Sequence, residues 1–210
     1  MLSEKEIEYA LIERHGKKVY DQLKAGKVAI CGLGGLGSNI AISLVRAGVG
    51  HLHIIDYDTV DITNLNRQQY LPDHIGTLKT KALGDQLLSI NPYLDLKITN
   101  IKISEENIGE LFGDEDIVCE AFDVPETKAM LTEQMLMNHR DKILVGASGL
   151  AGYNSSNLIK TKQVTKNFYL CGDGTSDIDS FGGLMAPRAM LCAAHQANMV
   201  IRLLVGETDV

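Results

Sequence analysis

The spacing of glycines in "CGLGGLGSNI", residues 31–40, limits what this chain can fold into. Gly32, Gly34 and Gly37 follow the apolar run "KVAI" and precede a helical pattern of apolar residues over positions 35–48. Glycines at this spacing permit a tight turn and let a phosphate approach the backbone closely, while the N-terminus of the following helix attracts anions. The pattern predicts a strand, a glycine turn and a helix that together bind a nucleotide.

The chain that follows alternates between strand-like and helix-like patterns. Further strands are predicted at 51–58, 94–101, 116–122 and 142–149, and further helices at 79–90, 104–112 and 125–139. Alternation of this kind is typical of a parallel sheet with helices on both faces. We therefore predict a doubly wound, mostly parallel, Rossmann-like α/β fold.

The start of the chain carries the pattern of a single amphipathic helix over residues 3–25. Ser3 and Glu6 have the spacing of a capping box, in which each side chain accepts a hydrogen bond from the backbone N–H of the other residue. Gly26 is expected to end this helix, just before the first strand.

After Gly149 the pattern changes. Two short strands, expected to be antiparallel, fall within residues 153–174, and a glycine- and acid-rich loop over 175–183 leads to an apolar helix over 184–205. The sequence contains no repeat and no linker, so we predict one domain over residues 1–210. Its parts are an N-terminal helix (1–26), a nucleotide-binding core (27–150), and antiparallel strands with a closing helix (151–210).

Composition argues against several classes of function. The formal net charge of −7 disfavours binding to nucleic acid or to an anionic membrane surface. No apolar run approaches the roughly 20 residues of a membrane span, and the charged N-terminus lacks the apolar region of a signal peptide, so the cytoplasm is the expected location. The four cysteines form no CxxC pair, and no structural zinc is expected.

Polar residues after the second predicted strand indicate which nucleotide the turn holds. Asp56 lies 19 residues beyond Gly37, where a carboxylate can bind ribose hydroxyls. Arg67 and Lys79 come shortly after it. A nicotinamide dinucleotide carries only a pyrophosphate, which the helix N-terminus already serves, so an added arginine and lysine favour a triphosphate.

Other interpretations of these residues stay open at this stage. Arg67 and Lys79 could be solvated surface charges, the turn could hold no ligand, and an NAD-dependent oxidoreductase would use the same glycine spacing. A P-loop ATPase is excluded, because its last glycine is followed by Lys and Ser or Thr, whereas Ser38 and Asn39 follow Gly37 here.

The segment "GLGGLGSNIAISLVRAGVGHLHIIDYDTVDITNLNRQ", residues 32–68, resembles the ubiquitin-activating-enzyme-like superfamily, in particular its ThiF/MoeB/HesA branch. The resemblance continues through "GTLKTKAL", "INPYLDLKI" and "DIVCEAFDVPETK", and so covers most of residues 27–150. The ending "APRAMLCAAHQANMVIRLL" is similar to the compact ThiF-type proteins of thiamine biosynthesis. The resemblance implies an adenylyltransferase, which uses ATP to activate the C-terminal glycine carboxylate of a ubiquitin-like sulfur carrier and releases pyrophosphate.

The resemblance also implies roles for individual residues. Those expected to bind ATP are Gly32, Gly34 and Gly37 at the phosphates and ribose, Asp56 at the ribose, Asp58 at the pocket edge, and Asn64, Arg67 and Lys79 at the triphosphate. Asp123 would help to place Mg²⁺, with a helix cap before Pro125 as the alternative role.

An arginine near the N-terminus is implied to reach into the ATP site of the partner subunit in a homodimer. Arg14 is the candidate, and the alternatives are Lys17, Lys18 or a solvated helix face. Together with Mg²⁺, Arg67, Lys79 and Arg14 would stabilise the departing pyrophosphate.

The partner is implied to be a carrier protein that ends in Gly-Gly. Its tail would lie along "SGLAGYNSSNL" and the loop 172–183. Alternatives are a carrier of a molybdopterin or siderophore pathway, or a nucleotide-binding relative without turnover. Some members use a cysteine for sulfur chemistry, but the acidic surroundings of Cys171 in "YLCGDG" offer no cation to lower its pKa, so a structural role is predicted.

Overall fold

The structure is a computed structural model that describes residues 2–177 and 182–210. Its strands are β1 Lys27–Cys31, β2 His51–Asp56, β3 Asp95–Asn100, β4 Ile117–Glu120, β5 Ile143–Ala147, β6 Lys160–Thr165 and β7 Phe168–Gly172. Its α-helices are α1 Glu4–His15, α2 Lys17–Ala25, α3 Gly37–Ala47, α4 Lys79–Ile90, α5 Ile108–Leu111, α6 Pro125–Asn138 and α7 Ala186–Leu204. Short 3₁₀ turns lie at Ile62–Asn64, Pro72–His74 and Ser156–Leu158.

The strands form one seven-stranded sheet in the order β3-β2-β1-β4-β5-β7-β6. Neighbouring strands are parallel except β7 and β6, which are antiparallel. The chain winds outward from β1 to β3 and then returns to place β4 on the other side of β1, which leaves a crevice at the carboxyl ends of β1 and β4. The predicted doubly wound fold with antiparallel strands near the C-terminus is confirmed.

Side chains of the central strands alternate between two hydrophobic cores. Val28 and Ile30 of β1 face the larger core, which α3, α4 and α7 cover. Ala29 and Cys31 face the smaller core, which α5 and α6 cover. Because helices pack on both faces, the strands are buried on both sides and read as nearly continuous apolar runs.

The first helix differs from its prediction. Ser3 and Glu6 form the expected capping box, but the predicted helix over 3–25 is two helices, because Gly16 adopts a φ of 81° and ends α1. The N–H of Gly16 donates to the carbonyl oxygen of Ile12 at 2.8 Å, and α2 starts at the next residue. A glycine within an apolar pattern can therefore mark a helix end rather than a tolerated interior position.

The helix predicted over 104–112 is shorter than expected, since only Ile108–Leu111 is helical. Asn107 closes a turn before it, accepting from the N–H of Ser104 at 3.0 Å and donating to the carbonyl oxygen of Lys102 at 2.9 Å. Part of the predicted glycine-rich loop, residues 178–181, lies outside the described residues. Among the helices that the structure describes, none has the length and hydropathy to cross a membrane.

Two glycines of the turn after β1 have different steric surroundings. A Cβ atom on Gly37 would lie 1.8 Å from the carbonyl oxygen of Gly32, so α3 can begin this close to the turn only without a side chain there. A Cβ atom on Gly34 would lie 3.7 Å from Nε2 of Gln68, an ordinary van der Waals distance. The backbone packing of the turn therefore depends on Gly37 more than on Gly34.

We expect Gly37→Ala to lower the free energy of unfolding by about 1–3 kcal/mol, because the backbone of the turn has to move to admit the methyl group. Gly34→Ala is the matched control and should change it by less than about 1 kcal/mol. Urea denaturation of both variants measures the difference. Equal destabilisation by the two substitutions would contradict this account of the turn.

Candidate functional site

A cavity of about 570 Å³ opens at the carboxyl ends of β1, β2 and β4. Its wall combines the glycine turn, the end of β2, the following loop and the first turns of α4 and α6. The polar residues and glycines on this wall include Gly32, Gly34, Asp56, Asp58, Asn64, Arg67, Gln68, Lys79, Asp123 and Lys128. The structure thus brings together all the predicted site residues except Gly37 and Arg14.

Those two residues have other positions. Gly37 is buried behind the turn, where it lets α3 pack against Gly32 instead of lining the cavity. Arg14 is exposed near the end of α1. That helix packs by Leu11 beside Gly48, which lies just before β2 and therefore at the opposite edge of the sheet from the cavity. A role for Arg14 in a second subunit stays a prediction.

The carboxylate of Asp56 connects the glycine turn to the end of β2. One oxygen accepts from the N–H of Leu33 at 2.6 Å, and the other accepts from Tyr57 and Asp58 at 2.7 and 2.8 Å. These bonds turn the chain, so β2 ends at Asp56 rather than at the predicted residue 58. A carboxylate has about four acceptor positions, so roughly one remains for a ligand hydroxyl.

Lys79 extends a buried ammonium group along the cavity wall. Its Nζ lies 2.9 Å from Oδ2 of Asp58, and its side chain is 8% exposed whereas that of Asp58 is 46% exposed. Its backbone N–H also donates to the carbonyl oxygen of Asp58 at 2.9 Å. An ammonium group has three N–H donors, so Lys79 retains capacity for an anion in the cavity.

Arg67 and Gln68 present unpaired polar atoms in the same wall. Nη1 of Arg67 donates to the carbonyl oxygen of Thr63 and to Asn66, and its aliphatic part lies against Gly35. Nε of Arg67 and Oε1 of Gln68 are buried without a hydrogen-bond partner in the part of the chain that the structure describes. An unsatisfied buried polar group costs roughly 1–3 kcal/mol, so a ligand or water that meets these atoms is stabilised.

Asp123 lies on the cavity wall, on the turn between β4 and α6, and its side chain is exposed. The alternative role as a helix cap does not fit, because Val124, not Asp123, is the N-cap residue of α6, and α6 has no side-chain capping bond among the described residues. Mg²⁺ typically binds one or two carboxylates together with substrate phosphates and water, and an exposed carboxylate beside this cavity suits that ion. Within the described residues no group of three or more His, Cys, Asp or Glu side chains could hold a metal ion without other ligands.

Lys128, on the cavity wall, belongs to an ion pair that the sequence analysis missed. Nζ of Lys128 lies 2.9 and 3.0 Å from the two carboxylate oxygens of Glu120 and donates to the carbonyl oxygen of Ala147 at 3.0 Å. Glu120 also accepts from the N–H of Phe122 at 2.8 Å. The signal was available, because Glu120 is the one charged residue in the apolar run "IVCEAF".

The cysteines are buried and have unreactive surroundings. Burial raises the pKa of the Cys171 thiol to about 11 and that of Cys192 to about 12. Burial also raises the pKa values of Cys31 and Cys119 well above the usual range. These surroundings favour the predicted structural role of Cys171 over a role in sulfur chemistry.

A family model and curated relatives both match this chain. The model of the ThiF family matches residues 7–210. The chain is 29% identical over 191 residues to the adenylyltransferase and sulfurtransferase UBA4 of Candida glabrata, covering 88% of this chain and 44% of that protein. It is 35% identical over 131 residues to the molybdopterin-synthase adenylyltransferase of Haemophilus influenzae, covering 62% of this chain and 53% of that protein. The chain therefore spans about half the length of these relatives.

Solved structures show the same fold at lower identity. The E. coli tRNA N6-threonylcarbamoyladenosine dehydratase TcdA, in complex with ATP, superposes with a TM-score of 0.84 at 20% identity and covers 97% of this chain and 96% of that chain. E. coli MccB with ATP superposes with a TM-score of 0.72 at 23% identity and covers 91% of this chain and 59% of that chain.

The raised pKa values predict that the native protein resists thiol reagents. At about pH 8, roughly one Cys171 thiol in a thousand is ionised, and the reactive species is the thiolate. We expect negligible modification by iodoacetamide in the native state and modification of all four cysteines in guanidinium chloride, measured by mass spectrometry. Rapid labelling of Cys171 in the native protein would instead indicate an accessible, activated thiol.

Proposed function

The chain belongs to the ThiF family, and from that premise we propose that it is an adenylyltransferase that uses ATP to activate the C-terminal carboxylate of a ubiquitin-like carrier protein. The observation that carries this proposal is the convergence of Arg67, Lys79 and Asp123 on one cavity beside a glycine turn. Two cations and an exposed carboxylate suit a magnesium-bound triphosphate better than a dinucleotide, whose pyrophosphate the helix N-terminus already accommodates.

The relatives support a carrier protein as substrate. Those of Candida and Haemophilus are both named adenylyltransferases, and the latter acts on molybdopterin synthase by name. We propose a carrier that ends in Gly-Gly, with the sulfur carrier of thiamine biosynthesis as the first candidate and a molybdopterin or siderophore carrier as the alternatives. The formal net charge of −7 favours a protein substrate over a nucleic acid.

The chemistry needs no protein nucleophile. The substrate carboxylate is already ionised near pH 7 and attacks the α-phosphorus of ATP. The bond from that phosphorus to the oxygen bridging the α- and β-phosphates breaks, its electron pair leaves with pyrophosphate, and an acyl-adenylate remains. The protein contributes orientation and charge neutralisation, which are the main sources of rate in phosphoryl chemistry.

The predicted site residues that line the cavity have the following tasks in this reaction. The backbone of Gly32 and Gly34 approaches the phosphates, and the remaining acceptor position of Asp56 receives a ribose hydroxyl. Lys79 and Arg67 donate N–H groups to the leaving pyrophosphate, and Asn64 lies beside them on the wall. Asp58 lies at the pocket edge, where it holds Lys79.

Asp123 would hold Mg²⁺, which supplies neutralisation of phosphate charge when it is bound. A homodimer, in which Arg14 acts across the subunit interface, belongs to the same proposal and rests on the family resemblance. The chain would then work as a single adenylation domain.

Exchange of radiolabelled pyrophosphate into ATP tests the reaction directly. We expect exchange only when a carrier protein ending in Gly-Gly is present, and carriers of the thiamine, molybdopterin and siderophore types should be compared. The carrier that supports exchange identifies the substrate. NAD(H) binding without exchange would support the oxidoreductase alternative, and ATP binding without exchange would support a non-catalytic relative.

Lys79→Met should lower the exchange rate by a factor on the order of 10²–10³, because a donor to the leaving group is lost. Lys81→Met is the matched control, since Lys81 lies on the same helix but is exposed and pairs with Asp85 at 2.8 Å.

Asp123→Asn should lower the exchange rate by a similarly large factor. Its control is Asp116→Asn, at the opposite end of β4. If folded Lys79→Met and Asp123→Asn proteins retain full exchange, the site is wrongly assigned.

A further inference from the structure

A buried ion pair lies beside the wall of the cavity. Nη2 of Arg188 is 2.5 Å from Oδ2 of Asp173, and the two side chains are 5% and 3% exposed. Ala189, next to Arg188, and Ser176, three residues after Asp173, line the cavity. The reaction proposed above gives this pair no task, yet both charged groups have been removed from water, which is costly unless the pair is well bonded.

The position of Arg188 in its helix is unfavourable in isolation. It lies in the first turn of the 19-residue helix α7, where the helix dipole disfavours a cation. The arginine is held there by its contacts: Nη1 donates to the carbonyl oxygens of Asn154 and Ser155, each at 2.9 Å. Residues that break a local rule in this way are concentrated at functional sites.

Asp173 ties a second segment to the same point. Its Oδ1 accepts from the N–H groups of Thr175 and Ser176 at 2.9 and 2.8 Å, and its Oδ2 accepts from the Ser176 hydroxyl at 2.5 Å. Although burial opposes its charge, hydrogen bonds from Ser176, Thr175 and Arg188 hold the pKa of Asp173 well below its usual range. Its backbone N–H donates to the carbonyl oxygen of Gly149 at 2.9 Å.

The two segments held by the pair form one side of the cavity. We name residues 149–155 and 173–177 the rim, since the cavity wall there includes Gly149, Leu150, Ala151, Ser176 and Asp177. The rim follows β5 and β7, whereas the triphosphate residues Arg67 and Lys79 follow β2. In the sheet order, β5 and β7 lie on the far side of β4 from β2. The rim therefore lies apart from the residues assigned to the triphosphate, on another side of the same cavity.

We propose that Arg188 and Asp173 are positioning residues that fix the rim for the carboxyl-terminal tail of the carrier and are not needed for ATP binding. This inference rests on the function proposed above. It is distinct from a general stabilising role, which would weaken ATP binding and carrier binding together.

Arg188→Lys tests the inference with a variant that keeps the charge. Lysine lacks the planar fork and cannot reach Asp173 and both carbonyl oxygens in the same arrangement. With the carrier that supports exchange, we expect KM for the carrier to rise roughly tenfold or more, because a small displacement of substrate groups has a large kinetic effect. The Kd for ATP, measured by calorimetry, should stay within about a factor of two of the wild-type value.

Arg202→Lys is the matched control. It makes the same substitution on the same helix at an exposed ion pair with Asp209, and it should change neither constant. A parallel loss of ATP and carrier binding in Arg188→Lys, or an unchanged carrier KM, would overturn the inference. Asp173→Asn, which keeps the size of the side chain, should reproduce the selective rise in carrier KM.

Hydrogen exchange separates this inference from the proposed function. Backbone hydrogens of peptides covering 149–155 should exchange faster in Arg188→Lys than in Arg202→Lys. The reason is that the segment carrying the N–H of Gly152 is no longer held in place by the arginine. If no carrier supports pyrophosphate exchange in the wild type, the proposed function fails and the assignment of the tail fails with it. Faster hydrogen exchange of the rim in Arg188→Lys, with unchanged ATP affinity, would still establish that the pair holds the rim. An unchanged rate of hydrogen exchange would overturn that conclusion as well.

Discussion

The carboxylate of Asp56 is the interaction on which the candidate site depends. It gathers three backbone N–H groups, one from the glycine turn after β1 and two from the chain that leaves β2. Without such an acceptor, the turn and the end of β2 would present unpaired donors in a buried place. One side chain thus fixes the distance between the two walls of the cavity, and Gly37 permits α3 to begin close enough to complete it.

The same arrangement recurs along the carboxyl edge of the sheet. Glu120 at the end of β4 and Asp173 just after β7 each accept backbone N–H groups from the turn that follows, as Asp56 does. Each of these two also binds a cation, which is half-buried in Lys128 and buried in Arg188. In Lys128 all three donors of the ammonium group are used, and Arg188 is enclosed by Asp173 and two carbonyl oxygens. Each of these two cations binds protein oxygens at three points, although the Nε of Arg188 has no partner among the described residues. Lys79 has one side-chain partner there, Asp58, and it lines the cavity together with Arg67.

The sequence predicted the parts of this arrangement that depend on local patterns. Glycine spacing, strand and helix alternation and the position of Asp56 after a strand are short-range features, and α4 has the predicted bounds of 79–90. The pairs formed by Glu120 with Lys128 and by Asp173 with Arg188 were not predicted, because no spacing rule states which charges meet after the chain has crossed the sheet. The prediction at Gly16 was wrong because the local pattern itself was misleading. It lies within a pattern that suits a helix on both sides, and only its φ of 81° shows the break.

The energetics of burial explain why some charged residues hold the protein together while others can bind a ligand. Removing one partner of a buried ion pair costs about 3–5 kcal/mol, while replacing both by apolar residues is often neutral, so stability alone is a weak reason for such a pair. Glu120 and Asp173 lie where turns must be held at defined positions around a cavity, and an apolar pair would not bind the N–H groups of Phe122 or Ser176. Because buried carboxylates bind the backbone N–H groups of these turns, Lys79 and Arg67 can respond to a ligand without disturbing the wall that positions them.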